Sequence, residues 1–548
     1  MPEDYDVIVV GGGVNGTGIA RDLALRGIKT LLIEKRDLSS GATGACSGMI
    51  HGGLRYLLYD IDTTRHSCLD SGYIQKIAPH LLFRIPFIMP ISTPVTAPFF
   101  ETYFEVYDKY APLKRGKPHT MLNREQVRSF IPHISERVKQ AITTDEWGID
   151  PQRLCVANAL SAHEHGADVR LYTEVISFLR SGRNNITGVR TRDRFGRENE
   201  FHSRIVMQAT GPWIQKTGAL AGVKVKIRPG KGVHLVFDRR LLNYSLIITT
   251  IDGRSSFIMP HENTSILGTT DDDYYGDLDD LRVTEDEVEY LIQGAERFLP
   301  EIRRARMIRA FAGIRPTLYQ WGKNEDALSR DHRVFDHEEI EGVKGIVSIA
   351  GGKLASYRLM SEEASDVVAS KLGVNAKCTT HIVPLPGGEN EVDPVELARE
   401  YGIPGYTIKR MVYRHGARAR EILELVRESP ELKRVICRCE PVIAAELIYC
   451  IRKEWATTLT DLRNRTRLGA GPCQGTRCAM RAIAVLAEEL CLSAREAQEE
   501  LIAFLERRWR GKRPVFSGSS LDQEELNQAS YFGVANLAQL VESQGRER

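Results

Sequence analysis

The pattern of apolar and polar positions opens with a strand, a glycine turn, a helix and a second strand. Residues 6–10 form a short apolar run, GGGVNG follows it, residues 19–26 carry alanine and leucine, and residues 29–34 are again apolar. Short apolar runs bounded by glycine turns are typical of buried strands, and the segment between them has helical composition. The chain therefore begins with a predicted βαβ unit.

Two later apolar runs, 205–209 and 345–350, also end in glycine turns, and we predict that they join the same sheet. The aromatic and strand-like segments between them lack such turns, which indicates a second domain inserted twice. The predicted class is α/β and α+β. We divide the chain into five predicted parts: a discontinuous nucleotide-binding domain (1–75, 148–222 and 310–375), a substrate domain (76–147 and 223–309), a helical spacer (376–434), a cysteine module (435–490), and a C-terminal helix and tail (491–548).

Charge and composition exclude several classes of protein. The chain has 548 residues, of which 42% are hydrophobic, and its 74 basic and 72 acidic residues leave a net charge of +2. Such a balance provides no general field for nucleic acid, so we predict no nucleic-acid partner. The acidic N-terminus is unlike a secretory signal, and four prolines interrupt the charge-free stretch 85–100, which predicts a cytoplasmic chain without a membrane-spanning helix.

The first glycine turn has the spacing of a dinucleotide-binding loop. Gly11, Gly13 and Gly16 form GxGxxG directly after the first strand, so the backbone can turn tightly and approach a pyrophosphate at a helix N-terminus. Glu34 ends the next strand, where a carboxylate can accept both hydroxyls of a ribose. The alternative is a glycine-rich turn that binds no ligand.

Three separated glycine sites favour FAD over NAD, because one long cofactor can touch all of them. They are GxGxxG together with the small polar stretch 39–48, ATGPW at 209–213, and AGGKLASYR at 350–358. The candidate cofactor-binding residues are Gly11, Gly13, Gly16, Glu34, Lys35, Ser40, Thr43, Gly44, Ser47, Ala209, Gly211, Gly351, Gly352 and Leu354.

Several motifs resemble the FAD-dependent glycerol-3-phosphate dehydrogenases: HGGLRYL at 51–57, LGTTDDDY at 267–274, AGIRPT at 312–317 and GGKLASYR at 351–358. With VYRHG, CRCE and DLRNRTRLGAGPCQGTRC, residues 5–509 resemble the A subunits of the anaerobic members. The resemblance implies a glutathione-reductase-like FAD domain and oxidation of sn-glycerol 3-phosphate to dihydroxyacetone phosphate. It also implies two partners, a second flavin subunit with an iron–sulfur membrane-anchor subunit, which pass electrons to quinone at the inner face of the cell membrane.

Oxidation of a secondary alcohol needs a base and cations that stabilise the developing alkoxide, and a phosphate needs further cations. Arg55, Arg315 and Lys353 each lie beside a glycine turn. The resemblance implies that these positions line the substrate pocket with His234, Arg330 and Tyr56. We expect Arg315 to polarise the C2 oxygen, Arg330 and Lys353 to serve the substrate anion or alkoxide, and His234 to be the base.

Two alternatives remain for this set. A lone arginine is usually a solvated surface charge, and His234 is as readily a structural hydrogen-bonding group as a base. The wider alternatives are a flavin enzyme that oxidises another hydroxy or amino acid, and a non-catalytic scaffold that carries a metal cluster.

Four cysteines form two close pairs, as C-x-C and C-x4-C separated by 33 residues: Cys437, Cys439, Cys473 and Cys478. Four thiolates suit an iron–sulfur cluster or zinc, and the sequence alone leaves both open. The pairing resembles the bacterioferritin-associated-ferredoxin-like domain, which implies a [2Fe-2S] cluster. Nearby arginines are expected to offset its charge: Arg438, Arg463, Arg465, Arg467 and Arg477.

The other cysteines are predicted to be small buried hydrophobic residues: Cys46, Cys68, Cys155, Cys378, Cys450 and Cys491. An aromatic stretch at 99–110 is either a membrane contact or a packed helix, and the packed helix is favoured. A basic run at 507–514 is either a contact with lipid or nucleic acid or a solvated helix end, and the solvated helix end is favoured.

Overall fold

The computed structural model describes residues 4–58, 60–322, 328 and 331–537. In chain order its strands are β1 (Asp4–Val10), β2 (Thr30–Ile33), β3 (Leu82–Ile91), β4 (Met121–Leu122), β5 (Gln140–Ile149), β6 (Asp168–Arg170), β7 (Thr173–Arg180), β8 (Ile186–Asp193), β9 (Glu198–Gln208), β10 (Ile227–Phe237), β11 (Ser245–Thr249), β12 (Ser255–His261), β13 (Thr264–Gly268), β14 (Asp272–Asp273), β15 (Met307–Leu318), β16 (His332–Asp336), β17 (Ile346–Gly351), β18 (Val435–Cys437) and β19 (Val442–Ile443).

The helices of the first two domains surround these strands. They are α1 (Val14–Leu25), α2 (Ile61–Ile77), α3 (Ala97–Asp108), α4 (Arg124–Phe130), α5 (Pro151–Glu164), α6 (Ile214–Ala221), α7 (Glu285–Glu296), α8 (His337–Glu341) and α9 (Tyr357–Leu372). The C-terminal region adds α10 (Pro394–Tyr401), α11 (Gly405–His415), α12 (Ala419–Glu428), α13 (Ala444–Lys453), α14 (Leu459–Thr466), α15 (Ala479–Leu490), α16 (Ala494–Lys512) and α17 (Ser519–Val534).

The first sheet has the order β16-β17-β9-β1-β2-β6, and β7 and β8 extend it from β9. The strands β17, β9, β1, β2 and β6 run parallel. Helices α1, α5 and α9 pack together, and their apolar side chains share one core with strand residues such as Val7, Leu32 and Met207. The predicted βαβ unit and the placement of the two later apolar runs in its sheet are confirmed.

The second sheet has the order β14-β10-β13-β12-β11-β3-β5-β4, and β15 pairs with β10. Its strands come from both predicted insertions, because β3 and β11 pair across them. The strand β15 pairs with β10 as far as Leu318, and β5 reaches Ile149. The predicted boundaries at 310 and 148 therefore fall within strands, since long-range pairing, and not local composition, sets where these strands end.

The C-terminal region is helical and has two cores. Helices α10–α12 form the predicted spacer around residues such as Leu397, Ile408 and Ile422. The hairpin β18–β19 and helices α13–α17 enclose the second core, to which α16 and α17 contribute Phe504 and Tyr531. The C-terminal helices therefore belong to the body of the cysteine module, although residues 491–548 are predicted as a separate helix and tail.

The burial of individual side chains tests the predictions for the aromatic stretch and for the isolated cysteines. In α3, Phe104 and Tyr107 are buried while Phe99 is 61% exposed, so one face of the aromatic stretch is packed. Cys491 is exposed, so the prediction that it is buried is wrong; it lies at the end of α15 in a left-handed conformation with φ +54°. Among the described helices, none combines the length and apolar character that a membrane crossing requires.

Candidate active site

Three glycine turns meet at one edge of the first sheet. The parallel strands β1, β9 and β17 are neighbours, and they end before Gly11, before Ala209 and at Gly351. This carboxyl edge borders a cavity of about 280 Å³, the usual position of a ligand on such a sheet. Its lining includes most predicted cofactor and catalytic residues: Gly11, Gly13, Glu34, Lys35, Ser40, Thr43, Ala209, Gly211, Gly351, Gly352, Leu354, Arg315 and Lys353.

The glycines of the first turn have different physical roles. A Cβ on Gly16 would lie 1.8 Å from the carbonyl oxygen of Gly11, so this glycine lets α1 pack against its own turn. Gly11 has φ +113°, and a Cβ there would lie 2.5 Å from the Ala209 oxygen. A Cβ on Gly13 would meet only the Thr43 hydroxyl, at 3.4 Å. The space beside Gly13 is therefore open on the cavity side, as the approach of a pyrophosphate requires.

The N-terminus of α1 suits an anion. Its N-cap residue is Gly13, which has no side chain to accept a hydrogen bond from the first turn, and that turn contains no acidic residue. The Val14 N–H donates to Thr43 Oγ1 at 3.1 Å, which fixes the stretch 39–48 against the helix start. The remaining N–H groups of the first turn and the helix dipole favour a phosphate group.

Glu34 holds the turn while it lines the cavity. Its Oε2 accepts the Gly12 N–H at 2.6 Å, and its Oε1 accepts the Arg36 N–H at 2.9 Å. Burial raises the pKa of Glu34, and these two backbone hydrogen bonds oppose the increase. Each carboxylate oxygen has a further lone pair for a ribose hydroxyl.

Lys35 is held by two residues that sequence reasoning missed. Its Nζ lies 4.3 Å from the Trp213 ring centroid and 2.6 Å from Asp279 Oδ1. Trp213 follows the second glycine turn and lines the cavity, so the ATGPW motif contained the signal for it. Asp279 comes from the substrate domain, and the ion pair therefore joins the two domains beside the cavity.

Arg315 is oriented by two neighbours from the LGTTDDDY motif. Its Nη2 donates to Thr269 Oγ1 at 2.9 Å, and its Nη1 lies 3.2 Å from Asp271 Oδ1. The guanidinium occupies the space over Gly232, where a Cβ would lie 2.6 Å from Nη2. The side chain is 28% exposed, so a fixed cation faces the cavity. The three consecutive aspartates were the sequence signal for this support.

Lys353 brings the 51–57 segment to the same cavity. Its Nζ lies 3.7 Å from the Tyr56 ring centroid and 3.4 Å from Ser67 Oγ. A Cβ on Gly53 would lie 3.4 Å from that nitrogen. Lys353 and Tyr56, both expected to line the substrate pocket, are therefore in contact, although Tyr56 is not part of the cavity lining. Arg330 and the side chain of Arg55 lie outside the described residues.

His234 and Ser47 form a pair that does not line the cavity. The imidazole Nε2 lies 2.9 Å from Ser47 Oγ, and the ring stacks on Phe311 at a centroid distance of 4.9 Å. Burial, with a smaller effect of Arg315, lowers the pKa of His234 to about 3. The ring is therefore neutral at physiological pH. Gly44 is also absent from the lining: its N–H closes a turn on the Ser39 carbonyl at 3.0 Å.

The four clustered cysteines come together on two loops. Cys437 ends β18 and Cys439 lies in the turn between β18 and β19. Cys478 is the N-cap residue of α15, and the Sγ atoms of Cys439 and Cys473 are 3.6 Å apart. Contact with Cys439 and Cys478 lowers the pKa of Cys437, and contact with Cys439 lowers that of Cys473. Within the described ranges, no three histidine, cysteine or acidic side chains have the geometry to hold a single metal ion.

The arginines near these cysteines are not equivalent. Arg465 is buried in an ion pair with Asp37, and Arg467 pairs with Glu440 at 3.3 Å. Arg463 donates to the carbonyl oxygen of Gly469 and to Gln474 Oε1, which are neutral acceptors. The expectation that all five arginines offset a cluster charge therefore does not hold for Arg465, whose charge is matched elsewhere.

Comparison with known proteins agrees with this geometry. The family described as FAD dependent oxidoreductase matches residues 6–358, and the C-terminal domain of alpha-glycerophosphate oxidase matches residues 378–497. The chain is 33% identical over 541 residues to the A subunit of the anaerobic glycerol-3-phosphate dehydrogenase of Escherichia coli (strain K12), covering 98% of this chain and 97% of the relative. It is 34% identical over 554 residues to the A1 subunit of the corresponding Haloferax volcanii dehydrogenase, covering 98% and 91%.

A solved structure is similar over nearly the whole chain. The glycerol-3-phosphate dehydrogenase from Bacillus halodurans, complexed with FAD, superposes with a TM-score of 0.75 at 25% identity. The superposition covers 94% of this chain and 97% of that one. The predicted fold class, with its FAD-binding domain, is confirmed.

Proposed function

This chain belongs to the family of FAD-dependent glycerol-3-phosphate dehydrogenases, and we propose that it oxidises sn-glycerol 3-phosphate to dihydroxyacetone phosphate. The observation that carries the proposal is that Arg315 and Lys353 line the same cavity as the dinucleotide loop. A hydroxy acid or an amino acid carries a single carboxylate with one negative charge, whereas the phosphate of a phosphorylated alcohol carries about two, so two cations on the wall suit it better.

The described residues fit FAD. Gly13 leaves space for the pyrophosphate at the start of α1, Glu34 offers acceptors to the ribose, and Gly351 and Gly352 line the same cavity at the end of β17. When bound, FAD supplies the acceptor for the two electrons of the alcohol.

Arg315 polarises the C2 oxygen of the substrate in this proposal, because Thr269 and Asp271 hold its guanidinium in one orientation. Lys353 neutralises the phosphate or the developing alkoxide. His234 is kept neutral by burial and is hydrogen-bonded to Ser47, and neither residue lines the cavity, so we assign His234 to the structural alternative, in which it positions the stretch 39–48. The hydroxyl proton becomes strongly acidic as the C2–H electron pair departs and is released to solvent.

The cysteine module is proposed to hold a [2Fe-2S] cluster on Cys437, Cys439, Cys473 and Cys478. Four thiols gathered from two loops beside a helix start are the donor set that such a cluster uses. When bound, the cluster carries electrons one at a time. Two partners would receive them, a second flavin subunit with an iron–sulfur membrane-anchor subunit, at the inner face of the membrane and with quinone as the acceptor.

The proposal is tested by anaerobic mixing of the purified FAD-loaded protein with sn-glycerol 3-phosphate. We expect loss of the oxidised flavin absorbance within the turnover time, with dihydroxyacetone phosphate formed in equal amount. Glycerol serves as the matched neutral substrate and should react far more slowly. Reduction by lactate or an amino acid, but not by sn-glycerol 3-phosphate, would contradict the substrate, and reduction by none of them would favour a scaffold.

The metal proposal has its own test. Protein prepared without oxygen should contain iron and acid-labile sulfide in equal amounts, with two of each per chain. A measured content of zinc without acid-labile sulfide would show that the four cysteines hold a structural metal ion and not a cluster.

A further inference from the structure

A second cavity, of about 260 Å³, lies between the flavin domain, the second sheet and the cysteine module. Residues of the stretch 39–48 border both cavities, since Ser40, Gly41 and Cys46 line each of them. The opposite wall comes from β15, α14 and α16 and from Gln474, the residue after Cys473. Nothing in the proposed oxidation of the alcohol uses this space.

The wall of this cavity is rich in arginine. Arg309 comes from β15, Arg463 from α14 and Arg507 from α16, and all three line it. Among the described residues, no carboxylate is paired with any of these three guanidinium groups, and the acceptors of Arg463 are neutral. The charges also repel one another: burial, and then Arg507, lowers the pKa of Arg309 to about 10.

The other charged residues on the wall do not cancel this excess. Arg508 is paired with Glu524, and Arg467 with Glu440. Asp150 is the acidic residue among the described lining, and one of its oxygens already accepts the Gln152 and Arg153 N–H groups at the start of α5. The cavity therefore has a net positive wall.

Two guanidinium nitrogens on this wall lack an acceptor. In the part of the chain that the structure describes, Nε of Arg309 and Nε of Arg467 are buried and have no hydrogen-bond partner. A buried charged donor without a partner costs free energy, because its desolvation is not compensated by a hydrogen bond. An acceptor within the cavity would remove that cost.

We propose that this arginine cavity binds an anion that carries phosphate, either inorganic phosphate or a phosphate monoester. A phosphate offers several oxygens to guanidinium groups that approach from three elements, which a monatomic anion such as chloride does not. The volume, several times the roughly 30 Å³ of one water molecule, admits a phosphate together with an organic substituent. The bound anion would tie β15 to α14 and α16, and so join the substrate domain to the cysteine module.

Calorimetric titration of the FAD-loaded protein with inorganic phosphate and with AMP tests this proposal. Arg309→Met and Arg507→Met each remove one guanidinium from the wall, and each should weaken binding about tenfold or more. Arg510→Met is the matched control: Arg510 lies on α16 but not on the cavity wall, and its loss should leave the affinity unchanged. Arg507 is exposed, so its replacement tests the site even if Arg309→Met does not fold.

The outcomes separate the possibilities. Tighter binding of AMP than of phosphate would identify a phosphate monoester, and equal binding would identify phosphate alone. Equal affinity of wild type, Arg309→Met and Arg507→Met would overturn the proposal, because any binding observed would then belong to the substrate cavity. Flavin reduction by sn-glycerol 3-phosphate should stay normal in both variants, which keeps this test separate from the proposed oxidation.

Discussion

The Arg465 guanidinium of α14 donates two 2.8 Å hydrogen bonds to the two carboxylate oxygens of Asp37, and both side chains are buried. Asp37 lies just before the stretch 39–48 that borders both cavities. This ion pair therefore fastens the cysteine module directly to the flavin-binding loop.

Replacing Asp37 alone should lower the free energy of unfolding much more than replacing both Asp37 and Arg465. Asp37→Leu leaves a buried guanidinium without its counter-charge, and we expect it to lower the free energy of unfolding by about 3–5 kcal/mol. Adding Arg465→Met should recover a large part of that loss, because no buried charge then remains. Denaturant unfolding of the four proteins in the cycle measures the coupling, and strictly additive costs would contradict a buried ion pair.

Gly13→Val should give a folded protein that lacks FAD. The apo-protein accommodates a Cβ at Gly13, since its nearest neighbour is the Thr43 hydroxyl at 3.4 Å, but the branched side chain occupies the approach of the pyrophosphate. Gly16→Ala is the contrasting variant: its Cβ would lie 1.8 Å from the Gly11 oxygen, so the fold itself should be destabilised. Circular dichroism and bound-flavin content distinguish the two effects, and stoichiometric FAD in Gly13→Val would contradict the site.

Arg315→Leu should retain FAD and slow its reduction by sn-glycerol 3-phosphate by about 10²- to 10³-fold. The variant removes a cation that Thr269 and Asp271 hold against the cavity, while the glycine loop is untouched. Stopped-flow absorbance measures the rate. Arg239→Leu provides an exposed arginine of the same domain as a control; equal rates in the two variants would remove Arg315 from the mechanism.

Stability should fall between about pH 6.5 and pH 9 because of His332. Burial lowers the pKa of His332, but its contacts with Asp331 and Glu363 outweigh this and raise it to about 9. A raised histidine pKa stabilises the folded state below the unfolded value near 6.5, and the contribution is lost as the pH rises through 9. The difference corresponds to about 3 kcal/mol.

His332→Gln should flatten this part of the stability profile. Unfolding measured from pH 6 to pH 10 in wild type and variant gives the difference directly. An unchanged slope in the variant would show that other groups cause the loss.

The sequence was most informative where the chemistry is local. GxGxxG, its flanking strands and Glu34 lie within one continuous segment, so spacing alone predicted the βαβ unit and its ligand edge. The length of β15 was not predictable in that way, because its end depends on pairing with β10. Asp37 and Arg465 are 428 residues apart, and no local pattern connects them.

The contacts that orient Arg315 were also not predictable from the local sequence, although they come from a recognisable motif. The motif LGTTDDDY is identifiable in the sequence, but which of its side chains contact Arg315 depends on the antiparallel pairing of β10 with β14 and β15. His234 shows the opposite case, because its residue type suggested a base while its burial against Phe311 gives it a low pKa.

Cys473→Ser should separate electron transfer from alcohol oxidation. The substitution removes one of four thiols that meet beside α15, and a four-thiolate site rarely survives the loss of a ligand unchanged. We expect flavin reduction by sn-glycerol 3-phosphate to remain near normal, because Cys473 does not line the first cavity. The paramagnetic signal of iron in the reduced protein and electron delivery to quinone through the partner subunits should both be lost.

The matched control for that variant is Cys491→Ser, which changes an exposed cysteine of the same module and should leave iron content, signal and delivery unchanged. A dye that accepts electrons directly from flavin should turn over in both variants, which would show that the flavin site is intact. Gln474, which follows Cys473, and the stretch 39–48 line the same second cavity, so the cysteine loop and the flavin-binding loop border one cavity. Normal quinone reduction by Cys473→Ser with its partners would place the cysteine module outside that path.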